Sequence, residues 1–167
     1  MKVTKRAYLL TFLALLSCGR LSDAMTRMSG SQSATCASRE QIIDTIGKAA
    51  ISGETDSLRA LTATADDLVR LQNEHGTPNK ENRTALTRQM ADDVVNAVKR
   101  FRTDSKPSRV MRTAAGEFRE HAPIENIAPE ADQVRDVRIV FETPGGEKSL
   151  TIGVLVRVGR CWKILYV

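Results

Sequence analysis

Residues 156–167, VRVGRCWKILYV, place two apolar runs on either side of Gly159-Arg160 at the end of the chain. Successive side chains of a β-strand point to opposite faces, so Trp162, Ile164 and Tyr166 are predicted to share one face. Glycine at the first position of a two-residue loop favours a tight hairpin turn. The stretch therefore predicts the last hairpin of an antiparallel sheet.

Further strands are predicted upstream of this hairpin. Residues 137–142 alternate in the pattern of a strand with one strongly apolar face, and the apolar residues of 150–158 alternate over a second long strand. Pro144-Gly145-Gly146 is typical of the turn between them. Residues 109–120 predict a weak strand, and residues 122–132, which contain two prolines, predict a loop or bulged excursion.

The first half of the folded region predicts helices. Ser38 and Gln41 have the spacing of a capping box, and apolar residues then recur at helical spacing up to Gly53. Two short helices are predicted near residues 55–61 and 64–71. The longest helix is predicted from Asn79, with about one apolar residue per turn. These apolar positions are Leu86, Met90, Val94, Val98 and Phe101.

Helices followed by antiparallel strands predict one α+β domain over residues 38–167, with the helices packed on one face of the sheet. This order, together with the Gly-x-x-Trp-Lys-Ile pattern at Gly159 to Ile164, resembles the nuclear-transport-factor-two-like (SnoaL-like, cystatin-like) superfamily. The resemblance implies a cone of curved sheet around a long helix, sometimes with an open pocket. It also implies a possible homodimer through the sheet face.

The N-terminus predicts export. Lys2, Lys5 and Arg6 precede an apolar run over residues 7–17, which spans about 16 Å as a helix and is too short to cross a membrane. Leu15-Leu16-Ser17-Cys18 resembles the lipobox of bacterial lipoproteins, whose cysteine is acylated and becomes the first residue. The resemblance implies a signal peptide over residues 1–17 and lipidation at Cys18. Residues 18–37 are then the lipidated cysteine and a flexible tether.

Two other readings of the N-terminus stay open. Ser22-Asp23-Ala24 also fits ordinary signal cleavage after Ala24, which would give a secreted soluble protein without Cys18. The other is an unprocessed, buried Cys18 in a cytosolic helix. Gly19 differs from the Asp that retains many Gram-negative lipoproteins in the inner membrane. The lipoprotein resemblance thus implies the bacterial cell envelope, at the outer membrane if the cell has one, with membrane lipid as the partner.

Assigning Cys18 to lipid leaves Cys36 and Cys161. In an oxidising compartment these two are predicted to form a disulfide, although two separate cysteines remain the alternative. The formal charge of +5 includes three signal-peptide cations, and without them 22 basic residues face 20 acidic ones, a net charge of +2. Such a balance gives no support for nucleic-acid binding.

No catalytic or metal-binding motif is found in the sequence. His75 and His121 have no partner at a spacing typical of a metal site or a nucleophile–base pair. Four residues are candidates for lining a pocket, with core packing or solvation as their alternative roles: Trp162, Tyr166, Glu117 and Glu142. We expect a lipid-anchored, non-enzymatic binding or interaction domain without a cofactor and with an unidentified ligand. The alternative is a small cone-pocket enzyme of isomerase or dehydratase type acting on a small apolar substrate.

Overall fold

The computed structural model describes residues 36–71, 80–124 and 128–167 of the 167-residue chain. Within these residues, four helices are followed by five strands of one antiparallel sheet, which confirms the predicted α+β class. The helices are α1 (Arg39–Ser52), α2 (Asp56–Leu61), α3 (Ala65–Leu71) and α4 (Lys80–Ser105). The predicted signal peptide, Cys18, residues 18–35 of the tether, His75 and the side chain of His121 lie outside the described part.

Local sequence signals place the helix ends. The Ser38 hydroxyl accepts a hydrogen bond from the Gln41 N–H (3.2 Å), and the Gln41 side chain accepts one from the Ser38 N–H (2.8 Å), so the predicted capping box is confirmed. At the start of α3, the Asp67 N–H donates to the Thr64 hydroxyl (3.2 Å) and the Thr64 N–H to the Asp67 carboxylate (2.9 Å). Both starts satisfy backbone donors that a helix cannot pair internally.

The sheet is organised around its longest strand. Its strands are β1 (Arg109–Ala114), β2 (Glu117–Ile124), β3 (Ala128–Thr143), β4 (Gly146–Val158) and β5 (Cys161–Tyr166). β3 pairs with β4 on one side, and with β1 and β2, end to end, on the other. β5 pairs with β4. The sheet therefore has one edge formed by β5 and another formed by β1 and β2.

The prediction of one strand over residues 109–120 was wrong, and that of a loop or bulged excursion over residues 122–132 is confirmed only in its bulges. Residues 109–120 form two strands, not one, because the chain breaks at Ala115-Gly116. A Cβ at Gly116 would overlap the carbonyl of Arg135 on β3, so the chain can pass this close to β3 only with glycine at this position. The described residues of this range, 122–124 and 128–132, belong to strands, with Ala122 opposite Ala131 and a register shift on either side of Ala122. Pro123 is tolerated because β2 is an edge strand, whose outward N–H groups have no ladder partner to lose.

The predicted alternation along β4 is confirmed, because its alternating apolar residues from Leu150 to Val158 are all buried, but they are divided between two core clusters. Leu150 and Ile152 belong to a larger core cluster, whereas Val154, Val156 and Val158 belong to a second one. Leu155 rejoins the first cluster although it lies three residues after Ile152, a spacing that puts side chains on opposite faces of a regular strand. The face of β4 that contacts the larger cluster therefore changes near Gly153.

β3 also changes the face that it turns toward the core, at the position that lies beside Gly153 of β4. Val134 and Val137 are also three residues apart and both belong to the larger cluster. Between them Asp136 has φ 56°, in the left-handed region that non-glycine residues seldom occupy. Asp136 lies between Arg135 and Val137, which pair with Val154 and Ile152, so both strands switch faces where they are neighbours.

The long helix α4 covers both clusters. Val94 and Val98 are fully buried in the larger cluster, and Met90 is buried in the second. Phe101 is half-buried against Phe141, with ring centroids 5.0 Å apart. Leu86 is 37% exposed, so the predicted apolar stripe is buried only from Met90 onward. None of the described helices is both long and apolar enough to span a membrane.

Candidate functional site

An open cavity of about 410 Å³ lies between the first half of α1 and strands β1 and β3. Its wall is aliphatic, and three charged side chains of α1 stand at its rim. The wall residues on helix and strands include Ile43, Val110, Val134, Val137 and Ile139, and the rim residues are Arg39, Glu40 and Asp44. We call this cavity the α1–β1 groove.

The groove exists because α1 and β1 diverge. At Gly47 a Cβ would lie 3.0 Å from the Cγ2 of Val110, so the missing side chain lets helix and strand approach closely. One turn toward the helix N-terminus, Ile43 and Thr113 face open space and line the cavity. Ala115 and Gly116, which are small, line it as well. The groove is thus closed near Gly47 and open near the start of α1.

An irregularity in β1 aims its side chains into the groove. Val110 pairs with Phe141 and Thr113 with Ile139, both inward residues of β3. Val110 and Thr113 are three residues apart, and the register shift between Val110 and Arg112 puts both on the groove side. Ala114 pairs with Arg138 and faces away. Thr113 and Ala114, which are neighbours on β1, therefore face the groove and the opposite side of the sheet, respectively.

The charges of the groove are confined to its rim. The pKa of Glu40 is lowered by a hydrogen bond from its backbone N–H, and further by the Ser38 hydroxyl and by Arg39. Arg39 lies 3.1 Å from the Glu40 carboxylate, and Asp44 lies 2.7 Å from Lys48. The wall strands contribute a single polar side chain, Thr113, to the lining. The arrangement can hold an apolar group and orient a charged one, but its lining brings no acid–base pair into the wall.

The four predicted pocket residues are not brought together. Trp162 is half-buried against the larger core cluster, and Tyr166 is 47% exposed, with its ring against Gly153. Glu117 is exposed and 2.8 Å from Arg119, which lowers the pKa of its carboxyl group. Glu142 is exposed and 2.7 Å from Arg109. None of the four lines the α1–β1 groove.

Sequence reasoning missed the groove residues for a physical reason. Val110 and Thr113 belong to a strand whose six residues are all exposed, so it has no apolar alternation to detect. Val134 lies between the predicted excursion of residues 122–132 and the predicted strand of residues 137–142, so neither prediction covered it. Only Val137 and Ile139 carried a signal, and that signal was also consistent with an ordinary core.

The opposite edge of the sheet is covered. Cys36 and Cys161 form a disulfide across a sequence separation of 125 residues, with Cα atoms 4.7 Å apart. Beside it, the Trp162 N–H donates to the carbonyl of Ala37 (2.9 Å). Farther along β5, the Ala63 N–H donates to the carbonyl of Ile164 (3.0 Å). Two segments from the helical half thus cover the outer backbone of β5, which protects it from unwanted strand pairing.

Lys163 is a buried cation within this covered edge. Its ammonium group donates to the carbonyl of Ala60 at the end of α2 (3.3 Å) and lies 3.9 Å from the Asp67 carboxylate at the start of α3. A cation near the C-terminus of one helix and an anion near the N-terminus of the next both complement the helix dipoles. Lys163 therefore has a structural role in joining α2 and α3 to β5.

The described residues contain no group of three or more His, Cys, Asp or Glu that could hold a metal ion. A second, more polar cavity of about 670 Å³ lies at the end of α1, between Lys48, Glu54 and Lys99. The α1–β1 groove is the better candidate site because aliphatic side chains form its wall. No protein-family model matches the chain, and comparison with curated proteins and with solved structures also finds no match.

Proposed function

We propose that this protein is a lipid-anchored extracytoplasmic lipoprotein whose α+β domain is a non-enzymatic binding module. The observation that carries the binding role is the α1–β1 groove, which combines an aliphatic wall with ionised side chains at its rim. Ligand sites are typically concave and mostly apolar, with a few polar groups that fix orientation. The groove has this composition.

Two features support the extracytoplasmic location. The disulfide between Cys36 and Cys161 is of the kind that persists in oxidising compartments. The lipobox-like stretch ending at Cys18 supplies the anchor. Two or more acyl chains on one residue hold a protein stably at a membrane. We place the protein in the bacterial cell envelope, at the outer membrane where one is present. A secreted protein cleaved after Ala24 is the alternative.

The domain is also proposed to be a curved, cone-like member of the superfamily it resembles. The joint face switch near Asp136 and Gly153 supports strong curvature, because strands that change their inward face bend the sheet. A homodimer through the outward sheet face stays a prediction. That face carries the ion pairs Arg109–Glu142 and Arg112–Glu147, which are typical of a solvated surface, so we assign binding to the groove.

The alternative of a cone-pocket enzyme needs a buried acid that faces the ligand. Among the described acidic residues, only Asp132 is buried, and it pairs with Arg157. Asp132 does not line the groove, whereas the acids that do, Glu40 and Asp44, are exposed at its rim. This placement favours binding over catalysis.

Intact mass spectrometry of the protein extracted from membranes tests the anchor. We expect a chain that begins at Cys18, carries acyl chains there, and lacks the two thiol hydrogens of Cys36 and Cys161. In a Cys18→Ala variant the acyl mass should vanish and the protein should leave the membrane fraction. A chain that begins at Met25 without acyl mass would contradict the proposal and support secretion.

A further inference from the structure

The wall of the α1–β1 groove limits the chemistry of its ligand. Its helix and strand side chains are aliphatic, from Ile43, Val110, Val134, Val137 and Ile139, and its lining contains no aromatic ring. A ring-shaped or functionalised ligand usually meets aromatic surfaces or precisely placed hydrogen-bond partners. A featureless hydrocarbon chain needs neither, because burial of its methylene groups is favourable without any directional contact.

The size of the groove suits one chain. Its volume of about 410 Å³ is within the ~300–1,000 Å³ typical of small-ligand sites, and an open cavity of this kind can accept an elongated hydrocarbon chain from one side.

The rim limits the polar end of the ligand. Along the first turns of α1, Arg39 pairs with Glu40 and Asp44 pairs with Lys48, so the rim presents both signs of charge side by side. A purely anionic headgroup would meet both carboxylates, whereas a zwitterionic one can direct its phosphate toward Arg39 and its ammonium toward Glu40 or Asp44. Opposite charges arranged in this way favour one partner and disfavour like-charged ones.

The position of the groove limits the source of the ligand. Its rim begins at Arg39, three residues after Cys36, so residues 19–35 join the described domain within one helical turn of the groove. The proposed lipidation site, Cys18, precedes Arg39 by 21 positions in the sequence, so the proposed anchor would make membrane phospholipid an available ligand.

We infer that the α1–β1 groove binds one acyl chain of a zwitterionic membrane phospholipid, with the headgroup held between Arg39 and the carboxylates of Glu40 and Asp44. This inference rests on the proposed function for its membrane location and adds the class of ligand. The site is distinct from the covalent lipid of Cys18.

Photo-crosslinking in vesicles tests the inference. The full chain is reconstituted in phosphatidylethanolamine–phosphatidylglycerol vesicles that contain a lysophosphatidylethanolamine with a diazirine in its acyl chain. After irradiation, mass spectrometry should locate the label in peptides containing Ile43 and Val137. Label found only outside the groove-lining peptides would overturn the inference.

A pair of neighbouring substitutions provides the matched control. Thr113→Trp fills the groove and should lower this labelling about tenfold, equal to about 1.4 kcal/mol of binding free energy. Ala114→Trp places the same ring on the opposite face and should leave labelling unchanged. Equal labelling in the two variants would count against the groove.

The rim is tested without changing the wall. Because Glu40 and Asp44 are exposed, a Glu40→Lys, Asp44→Lys variant should fold and should prefer a lysophosphatidylglycerol probe over the zwitterionic one. An unchanged preference would refute the role of the rim. This variant keeps the inference testable if Thr113→Trp does not fold.

A Cys18→Ala chain given the same probe in solution separates this inference from the anchor. Groove labelling in that chain, with no acyl mass on the native protein, would refute the anchor alone. An acylated native protein without groove labelling would refute only the ligand. If Cys18→Ala labels far more strongly than the acylated chain, the occupant is the protein's own acyl chain and the inference is wrong.

Discussion

The two edges of the sheet differ in how the chain treats them. At the β5 edge, a disulfide, backbone hydrogen bonds to the Ala37 carbonyl and from the Ala63 N–H, and the buried ammonium group of Lys163 join the strand to the helical half. At the other edge, all six residues of β1 are exposed, and α1 separates from the strand to leave the groove. One edge is fixed by contacts distant in sequence, whereas the other stays accessible.

This difference separates stability from binding. The covered edge is where the described chain begins, and the disulfide of Cys36 joins this beginning to β5. The accessible edge carries an aliphatic wall without the contacts that would close it. Binding sites are commonly found on such less constrained parts of a rigid scaffold.

The largest expected effect comes from opening the covered edge. A Cys36→Ala, Cys161→Ala variant removes a cross-link spanning 125 residues, which should lower the free energy of unfolding by about 5 kcal/mol in the chain-entropy model. Urea unfolding followed by circular dichroism measures it. Cys18→Ala is the control, and equal stability of the two variants would show that the disulfide adds nothing.

The next effect is at the open edge. Gly116→Ala places a methyl group against the Arg135 carbonyl, which should force β1 away from β3 and cost about 2–3 kcal/mol. Gly145→Ala is the matched control because a Cβ there meets no atom within 4 Å. Thermal unfolding compares the two variants. Similar melting temperatures would show that the close approach to β3 does not require glycine at position 116.

The sequence predicted the elements whose determinants are local. The Ser38–Gln41 capping box, the helix start at Thr64 and the Pro144-Gly145-Gly146 turn each depend on a few neighbouring residues, and the structure has a helix start or turn at each. The cysteine count led to the pair that the structure joins.

The groove could not be predicted in this way because distant residues create it. Gly116 is required by the carbonyl of Arg135, and the face switch depends on the backbone of Asp136 beside β4. Neither constraint leaves a periodic pattern. Pocket candidates chosen from the sequence, such as Glu142, form ion pairs at the surface instead.

A smaller effect is expected where α1 begins, between the covered edge and the groove rim. Ser38→Ala removes the hydroxyl that accepts the Gln41 N–H and should cost about 1 kcal/mol. Ser57→Ala, at an exposed position of α2, is the comparison. A loss for Ser38→Ala no greater than that for Ser57→Ala would mean that the capping box does not stabilise α1.

The smallest effect is the pH dependence of the open edge. A hydrogen bond from Arg112 lowers the pKa of Glu147, so this carboxylate stabilises the fold above the pKa of the unfolded chain and loses that contribution as the pH falls through its folded-state pKa. The pair is exposed, so salt should screen it. Unfolding of wild type and Glu147→Gln should differ slightly at neutral pH and low salt and converge in acid. A difference that grows in acid would contradict this sign.

The contrast between the two edges can be measured directly by amide hydrogen exchange of the native chain. We predict strong protection of Trp162 and its neighbours on β5, and fast exchange along β1, with β1 slowing when lysophosphatidylethanolamine is added. Equal protection of the two edges, with no response to lipid, would contradict the account.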